Sequence, residues 1–471
     1  MTTLTFYGGV NEIGGNKILL EDKDTKILMD FGKGFSKRSK YYEEFLKPRP
    51  SNGLKDFLTM GLVPDIKDVY RDDLLEMAGM KAQKPDIDAA IVTHAHADHV
   101  NYCSFLHEDI PLYMGNTCHL ILQALEERGN RDIEDEILNF KRRPIQRNGE
   151  PVKREIRTFR TGDKVKIGSL EVEPVHVDHS IPGAYGLIVH TSSGAAVYTG
   201  DIRLHGSNPA MTKEFVEKAK EARPIALITE GTRVKELNDG ASEPRVKQSC
   251  SNVVANTNKL VIADFSFKDV DRFRTFYTIA KENNRKLVIP LKEAFLLKWL
   301  SKDEILNVPN LNDDNIIVHI PKQKTGTYVE QDYGTKEREF LNLPNAWRAD
   351  NIKDNQCNVI CAFNFFSIDE LLDIGPEPNS IYIHSASEPY NEEMEIDSQR
   401  LQSWLELFKL SLFQSHCSGH AFGDDLFDVA RQINAKTIFP VHTECPQSYH
   451  IVANDLVIVE EGKRYDLDKR K

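Results

Sequence analysis

The stretch IVTHAHADHV, residues 91–100, constrains the chain more than any other. The run leading into it, DAAIVTH, reads as a buried strand, and it ends on His94, His96, Asp98 and His99, four donor residues within six positions. A solvated loop has no use for such a cluster. Residues two apart at a strand end point the same way, so His94 and His96 aim at one point, while Asp98 and His99 reach a second point beside it. Two metal sites fit this spacing better than one. Imidazole and carboxylate donors suit zinc, or manganese where oxygen ligands dominate, and the sequence offers no four-cysteine alternative. A fold that uses the stretch must end a strand here and bring further ligands to the same place from other strand ends.

Two segments supply them. VDHSIPGAYG offers His179 and VYTGDIR offers Asp201, each at the edge of an apolar run. A carboxylate such as Asp201 can bridge two ions about 3.5–4 Å apart. His176 lies three residues before His179, in what reads as the same strand, and is expected to face the other way. His107, His119, His190 and His205 have no clustered partners and read as ordinary core or surface histidines.

A chain of 471 residues exceeds one ordinary domain, and its rhythm changes part-way. The first half is β-rich. From about residue 236 strand and helix alternate (KLVIADF, RKLVIPL, NIIVHIP, NVICAFNF, SIYIHSA, with helices near 268–283, 293–300, 367–373 and 397–409), the pattern of a parallel α/β module. The reading is a first domain over 1–235, an inserted domain over 236–413 and a return to the first over 414–471. The segment from Phe35 to Leu75, with alternating charge and little periodicity, reads as a lid or wall of a cleft.

No basic-then-apolar leader and no run of 18 apolar residues is present, so a cytoplasmic protein without a membrane span is expected. The seven cysteines are odd in number and scattered, and read mainly as core thiols, with Cys357 and Cys361 in an apparent buried strand. A net charge of −12 disfavours a polyanion globally, so any nucleic-acid site is a local patch. Residues 141–160, with eight basic and two acidic side chains, are a candidate phosphate track, and PKQKTG (321–326) is a weaker one. GGVNEIGGN lacks the GxGxxG spacing and precedes a strand, so it reads as a glycine-rich turn rather than a dinucleotide site.

In this order, THAHADH, DHSIPGAYG and YTGDIR resemble the ligand motifs of the metallo-β-lactamase fold, an α/β architecture built as an αββα sandwich. ALITEGTR, the long insertion, QSHCSGHAFGDD and FPVHTE resemble the motifs of its β-CASP nuclease branch, and GGVNEIGGNKILLE, DHSIP and HCSGHA look most like ribonuclease J of the archaeal and bacterial type. The resemblance implies an inserted β-CASP parallel α/β domain. It implies two zinc ions, with manganese as the alternative, one held by His94, His96, His179 and Asp201 and the other by Asp98, His99, His442 and the shared Asp201. Asp98, Glu230 and His420 would be catalytic, with His420, held by Glu230, protonating the leaving 3′ oxygen. Ser385, Ser387, His416 and Ser418 would hold a 5′ phosphate.

The activity so implied is a 5′–3′ exoribonuclease acting on single-stranded RNA and preferring a 5′ monophosphate, with endonuclease cleavage, a DNA substrate and a homodimer left open. Small-molecule hydrolysis on the same fold and a non-catalytic scaffold are the other readings. Two departures bear on the resemblance. After ADH the family continues with isoleucine and glycines where this chain has VNYC, and a GSQGEP-like stretch is replaced by CAFNFFSIDE. The chain ends shortly after His442, so dimerisation through a C-terminal domain is not implied.

Overall fold

The computed structural model describes residues 1–43, 45–82, 84–128, 132–143, 150–386 and 392–470. The chain divides into two compact units, Met1–Leu204 with Asn208–Asp239 and Gly419–Lys471, and His205–Ser207 with Gly240–Ser418. The sequence places the joints at 235/236 and 413/414, whereas the units part at 239/240 and 418/419. The later exit arises because Ser411–Gln414 is the edge strand of the second unit's sheet.

In the first unit, one sheet runs in the order Arg464–Asp466, Thr2–Gly8, Lys17–Asp22, Thr25–Phe31, Ala89–Val92, Leu112–Gly115 and Ile156–Phe159. The other runs Thr437–Pro440, Ala226–Thr229, Gly194–Tyr198, Tyr185–Thr191, Leu170–His176 and Val165–Ile167. The period-two side-chain alternation of a strand explains how they stack. Leu187, Val189, Ala196, Tyr198, Ala226 and Ile228 of the second sheet join Leu4, Phe6, Ile18, Leu20, Ile27 and Met29 of the first in one buried cluster. Their neighbours Ile188, Val197 and Leu227 point the other way. There they meet Phe215, Val216 and Ala219 of helix Pro209–Glu221 and Leu426, Val429 and Ile433 of helix Gly423–Ile433. Helix Asn116–Arg128 lies against strands Leu112–Gly115 and Ile156–Phe159 of the first sheet, completing the αββα sandwich.

The second unit is a seven-stranded sheet, order Ala346–Trp347, Ile316–His319, Lys286–Pro290, Val359–Cys361, Val261–Asp264, Ile381–His384 and Ser411–Gln414, with every pairing parallel. Its strands are near-continuous apolar runs, as strands covered on both faces require. Helix Glu243–Ala255 precedes them in sequence, and helices Val270–Glu282, Leu291–Leu300 and Glu392–Phe408 lie between them.

Three expectations change. The segment 35–75 folds as short helical turns whose Leu54, Phe57, Leu62 and Val63 are buried, with Phe57 edge-on to Tyr102 and Phe105, so it is tied into the first unit's core. The 367–373 helix is a 3₁₀ turn, Phe365–Glu370, continued by a single α-turn, Leu371–Ile374. Cys361 is in a buried strand, but Cys357 sits exposed in the turn before it and Cys445 is half-buried. No helix among the described residues is long and apolar enough to cross a membrane.

Candidate metal centre

The strand Ala89–Val92 is buried along its whole length and delivers Thr93 and His94 to the sheet's edge, where His96 precedes the single-turn helix Ala97–Val100 that carries Asp98 and His99. Asp201 follows strand Gly194–Tyr198, and His442 follows strand Thr437–Pro440. His179 does not share a strand with His176. That strand ends at His176, which stacks on Tyr185 at 4.0 Å and has Thr161 Oγ1 3.1 Å from its Nδ1, and His179 lies in the loop beyond.

The donor atoms form two adjacent groups, His94, His96, His179 and Asp201 in one and Asp98, His99 and His442 in the other, each with its donor atoms within 4.8 Å of one another. Asp201 Oδ2 serves both: it lies 3.7 Å from His94 Nε2, 3.8 Å from His179 Nε2, 3.2 Å from His99 Nε2 and 3.6 Å from His442 Nε2. Asp98 Oδ2 is 3.1 Å from His442 Nε2 and 3.8 Å from His99 Nε2. A third group, Asp201, Glu230 and His420, adjoins them.

The donor set fits metal ions. His96 presents Nδ1 to the Nε2 atoms of both His94 and His179, at 3.1 Å each. Three imidazole nitrogens converging so closely cannot all be satisfied by hydrogen bonds among themselves, yet zinc–nitrogen bonds of about 2.0–2.1 Å set tetrahedral ligands about 3.3 Å apart. Asp201 Oδ1 is buried without a hydrogen-bond partner, and His99 Nε2 is buried without an aligned acceptor. Burial and the neighbouring His99 hold His94 well below the usual imidazole range, and burial and His96 do the same to His179, so both are neutral, as ligation requires. Burial works against charge on His99 and His442, but Asp201 outweighs it, joined by Asp30 and Asp98 at His99 and by Asp98 at His442, and raises both.

Each clustered imidazole that turns Nε2 to the centre has its other nitrogen tied, which fixes ring orientation. His94 Nδ1 lies 3.1 Å from Thr93 Oγ1, His99 Nδ1 2.8 Å from Asp30 Oδ2, His179 Nδ1 2.5 Å from the Gly419 carbonyl and His442 Nδ1 2.9 Å from Thr232 Oγ1. Asp30 is the residue that sequence reasoning missed. Fully buried at the end of its strand, it also accepts from Thr93 N at 2.7 Å, Thr93 Oγ1 at 2.9 Å and Tyr198 OH at 2.9 Å. The available signal was an aspartate closing the apolar run TKILMDF, where a charge is costly unless paired.

The glycine-rich turns are used by the same loop. Asn16 N donates to Asp98 O at 3.0 Å, and a Cβ at Gly14 would meet Asp98 Oδ2 at 2.6 Å. At Gly32 the added carbon would sit 1.7 Å from Asp98 O. Gly32→Ala is therefore expected to cost about 1–3 kcal/mol by overpacking and to release metal. Thermal denaturation and metal analysis read this, and a variant with wild-type stability and metal content would contradict this packing.

His420 stands beside the second group. Its Nδ1 is 2.9 Å from Glu230 Oε2, and Glu230 is wholly buried. Burial opposes a charge on His420, but Glu230 and Asp201 prevail and push its pKa up to about 9, so the imidazolium persists at neutral pH.

The residues expected at a 5′ phosphate lie in the second unit, except Ser387, which is outside the described residues. Ser385 is buried, and its hydroxyl is committed, donating to Ser415 O at 2.6 Å and accepting from Arg272 Nη1. Burial and the Arg272 guanidinium push His416 down to about 4, so it is a neutral donor rather than a cation. The Ser418 carbonyl faces His205 Nε2 at 2.9 Å. Arg272 itself is fully buried, forked onto Glu243 at 2.9 and 3.0 Å.

Four arginines of the basic stretch 141–160 are paired within the fold. Arg142 meets Glu108, Arg143 meets Glu136, Arg157 meets Glu155, and buried Arg154 donates to the Ser104 and His107 carbonyls, while residues 144–149 lie outside the described residues. In the second candidate, Lys322 pairs with Asp373 and Lys324 donates to Gln331 O.

Residues 67–238 match the beta-lactamase superfamily domain, and residues 409–454, which carry His420 and His442, match the Zn-dependent metallo-hydrolase RNA specificity domain. The two matched stretches carry every residue of both donor groups. The chain is 25% identical over 400 residues to ribonuclease J of Sinorhizobium meliloti, covering 83% of this chain and 63% of that protein. It is 22% identical over 454 residues to ribonuclease J of Helicobacter pylori, covering 94% of this chain and 56% of that one. The chain thus spans about three-fifths of the length of these relatives. A solved structure of a protein of unknown function from Enterococcus faecalis superimposes with a TM-score of 0.74 at 24% identity, covering 98% of this chain and 99% of that one, which shows the same fold over both units.

Proposed function

We propose that this chain is a metal-dependent ribonuclease of the ribonuclease J type, a 5′–3′ exonuclease that acts in the cytoplasm on single-stranded RNA with a 5′ monophosphate. The observation that carries the reading is the shared carboxylate of Asp201 between two donor groups, with a Glu230–His420 pair beside them. Two zinc ions, or manganese in their place, would be held by His94, His96, His179 and Asp201 and by Asp98, His99, His442 and Asp201. Ions held there supply Lewis-acid activation of water and neutralise charge on the phosphoryl oxygens.

The chain's own residues do the rest. Glu230 accepts the Nδ1 proton of His420 and so leaves Nε2 as the nitrogen that gives a proton outward. When water adds to phosphorus, releasing one proton to solvent, the P–O3′ bond breaks and the departing 3′ oxygen takes the His420 proton, which solvent then restores. Hydrolysis of a thioester or lactone needs no separately held acid of this kind, and the match to an RNA specificity domain over 409–454 supports a nucleic-acid substrate.

For the 5′ end, the hydroxyls of Ser418 and Ser387, with neutral His416 as an N–H donor, receive the terminal phosphate. Ser385 shapes the turn, and buried Arg272, whose Nη1 lies 3.4 Å from His416 Nδ1, supplies positive potential. The test is a time course on 5′-monophosphate, 5′-hydroxyl and 5′-triphosphate RNA and on single-stranded DNA. Monophosphorylated RNA is expected to be degraded about tenfold faster than the other ends, a difference of ~1.4 kcal/mol, with mononucleotides as first products. Equal rates on all ends, internal fragments appearing first, or faster cleavage of DNA would each overturn the corresponding part.

A further inference from the structure

The turn after strand Ala226–Thr229 touches the candidate centre twice. Gly231 N donates to the His442 carbonyl at 3.4 Å, and His442 is held in the left-handed region at φ 52° with its own N–H given to Gly9 O at 2.8 Å. One residue on, the Thr232 hydroxyl oxygen lies 2.9 Å from His442 Nδ1 and 3.2 Å from His420 Nδ1, while Thr232 N points to Glu230 Oε2 at 3.4 Å. One oxygen thus faces the rear nitrogens of two imidazoles that the proposed reaction uses for different tasks.

The hydrogen count fits. With its Nε2, which turns towards Asp98 and Asp201, given to a metal ion, His442 would carry its proton on Nδ1, and His420 Nδ1–H points at Glu230 with the threonine oxygen beside it. A hydroxyl has two acceptor lone pairs, enough for both N–H groups, and keeps its own hydrogen for another acceptor. We propose that Thr232 is a positioning residue that sets the tautomer and ring angle of His442 and His420 together, so that the fit of the second metal ion and the aim of the acid are coupled through one oxygen atom. This rests on the reading of the site as a two-ion hydrolase. Neither histidine is near Thr232 in sequence, at separations of 210 and 188 residues, so only the assembled sandwich makes the contact.

The test compares Thr232→Val, which keeps the shape and removes both acceptor lone pairs, with Thr232→Ser, which keeps the hydroxyl and drops the methyl. Stepwise zinc titration against a chromophoric chelator is expected to show two ions in the wild type and in the serine variant. The valine variant should keep one ion and bind the other 10–100-fold more weakly, the usual cost of losing a partner behind a ligand. At saturating zinc the valine variant should lose about tenfold in kcat with KM unchanged, and much less than that when combined with His420→Ala. Thr232→Ala takes the place of valine should valine not fold. Valine binding both ions as the wild type does, serine failing as valine does, or full additivity with His420→Ala would overturn the proposal. The titration needs no RNA, so a chain that binds zinc as expected but leaves RNA intact would refute the ribonuclease reading and still decide the role of Thr232.

Discussion

Asp201→Ala is expected to abolish hydrolysis, lowering the rate by at least about 10⁴-fold, or ~5.5 kcal/mol of barrier, in a chain that still folds. The size follows from position. Asp201 Oδ2 stands 3.2–3.8 Å from nitrogens of four histidines drawn from both donor groups, and no other carboxylate among the described residues does so. Without it the two groups have no common ligand, and the charge that raises His99 and His442 is lost. The fold should survive because Asp201 lies beyond the end of its strand, outside the packed clusters of the sandwich. Metal analysis and circular dichroism run beside the RNA assay check it. Wild-type turnover in the variant, or no more than one ion in the metal-replete wild type, would sink the two-ion reading.

His420→Ala should cost roughly 10²–10⁴-fold in turnover, the usual contribution of a positioned acid, while metal content stays at the wild-type level. Its ring contacts Glu230, and its approach to Asp201 is 3.9 Å through the Nδ1 that Glu230 already engages. His442→Ala should differ in kind, since its Nε2 lies with Asp98 and Asp201: it should lose metal as well as rate. Glu230→Gln should resemble His420→Ala, because an amide removes the charge that raises the imidazole. If His420→Ala released metal as readily as His442→Ala, the division between acid and ligand would be wrong.

Much of the architecture was legible in the sequence because strand patterning is local. The alternation that sends Leu187 and Ile188 to opposite faces, and the unbroken apolar runs of the parallel sheet, are properties of a few consecutive residues. The placing of donors at or just beyond strand ends was equally local, so His94, His96, His179 and Asp201 could be singled out before their distances were known, while His442 came from the resemblance of FPVHTE to a family motif. Contacts between distant residues were not legible. The segment 35–75 lacks periodicity, so sequence gave no sign that Phe57 packs against Tyr102 and Phe105. The basic run 141–160 promised a phosphate track, but the run by itself does not reveal that Glu108 and Glu136 stand opposite Arg142 and Arg143. Ser385 promised a hydroxyl for phosphate, and Arg272 and Ser415 have taken it.

By itself the sequence determined which residue types stand at which strand ends, since hydrophobic burial fixes a strand's faces and its polar terminus together. Only the tertiary structure decided how those ends are aimed. Asp30 reaches His99 across 69 residues, Thr232 reaches His442 across 210 and the Gly419 carbonyl reaches His179 across 240. Orientation of an imidazole depends on the partner behind it, and that partner comes from whichever strand or loop the sandwich packs alongside, which no stretch of neighbouring residues encodes.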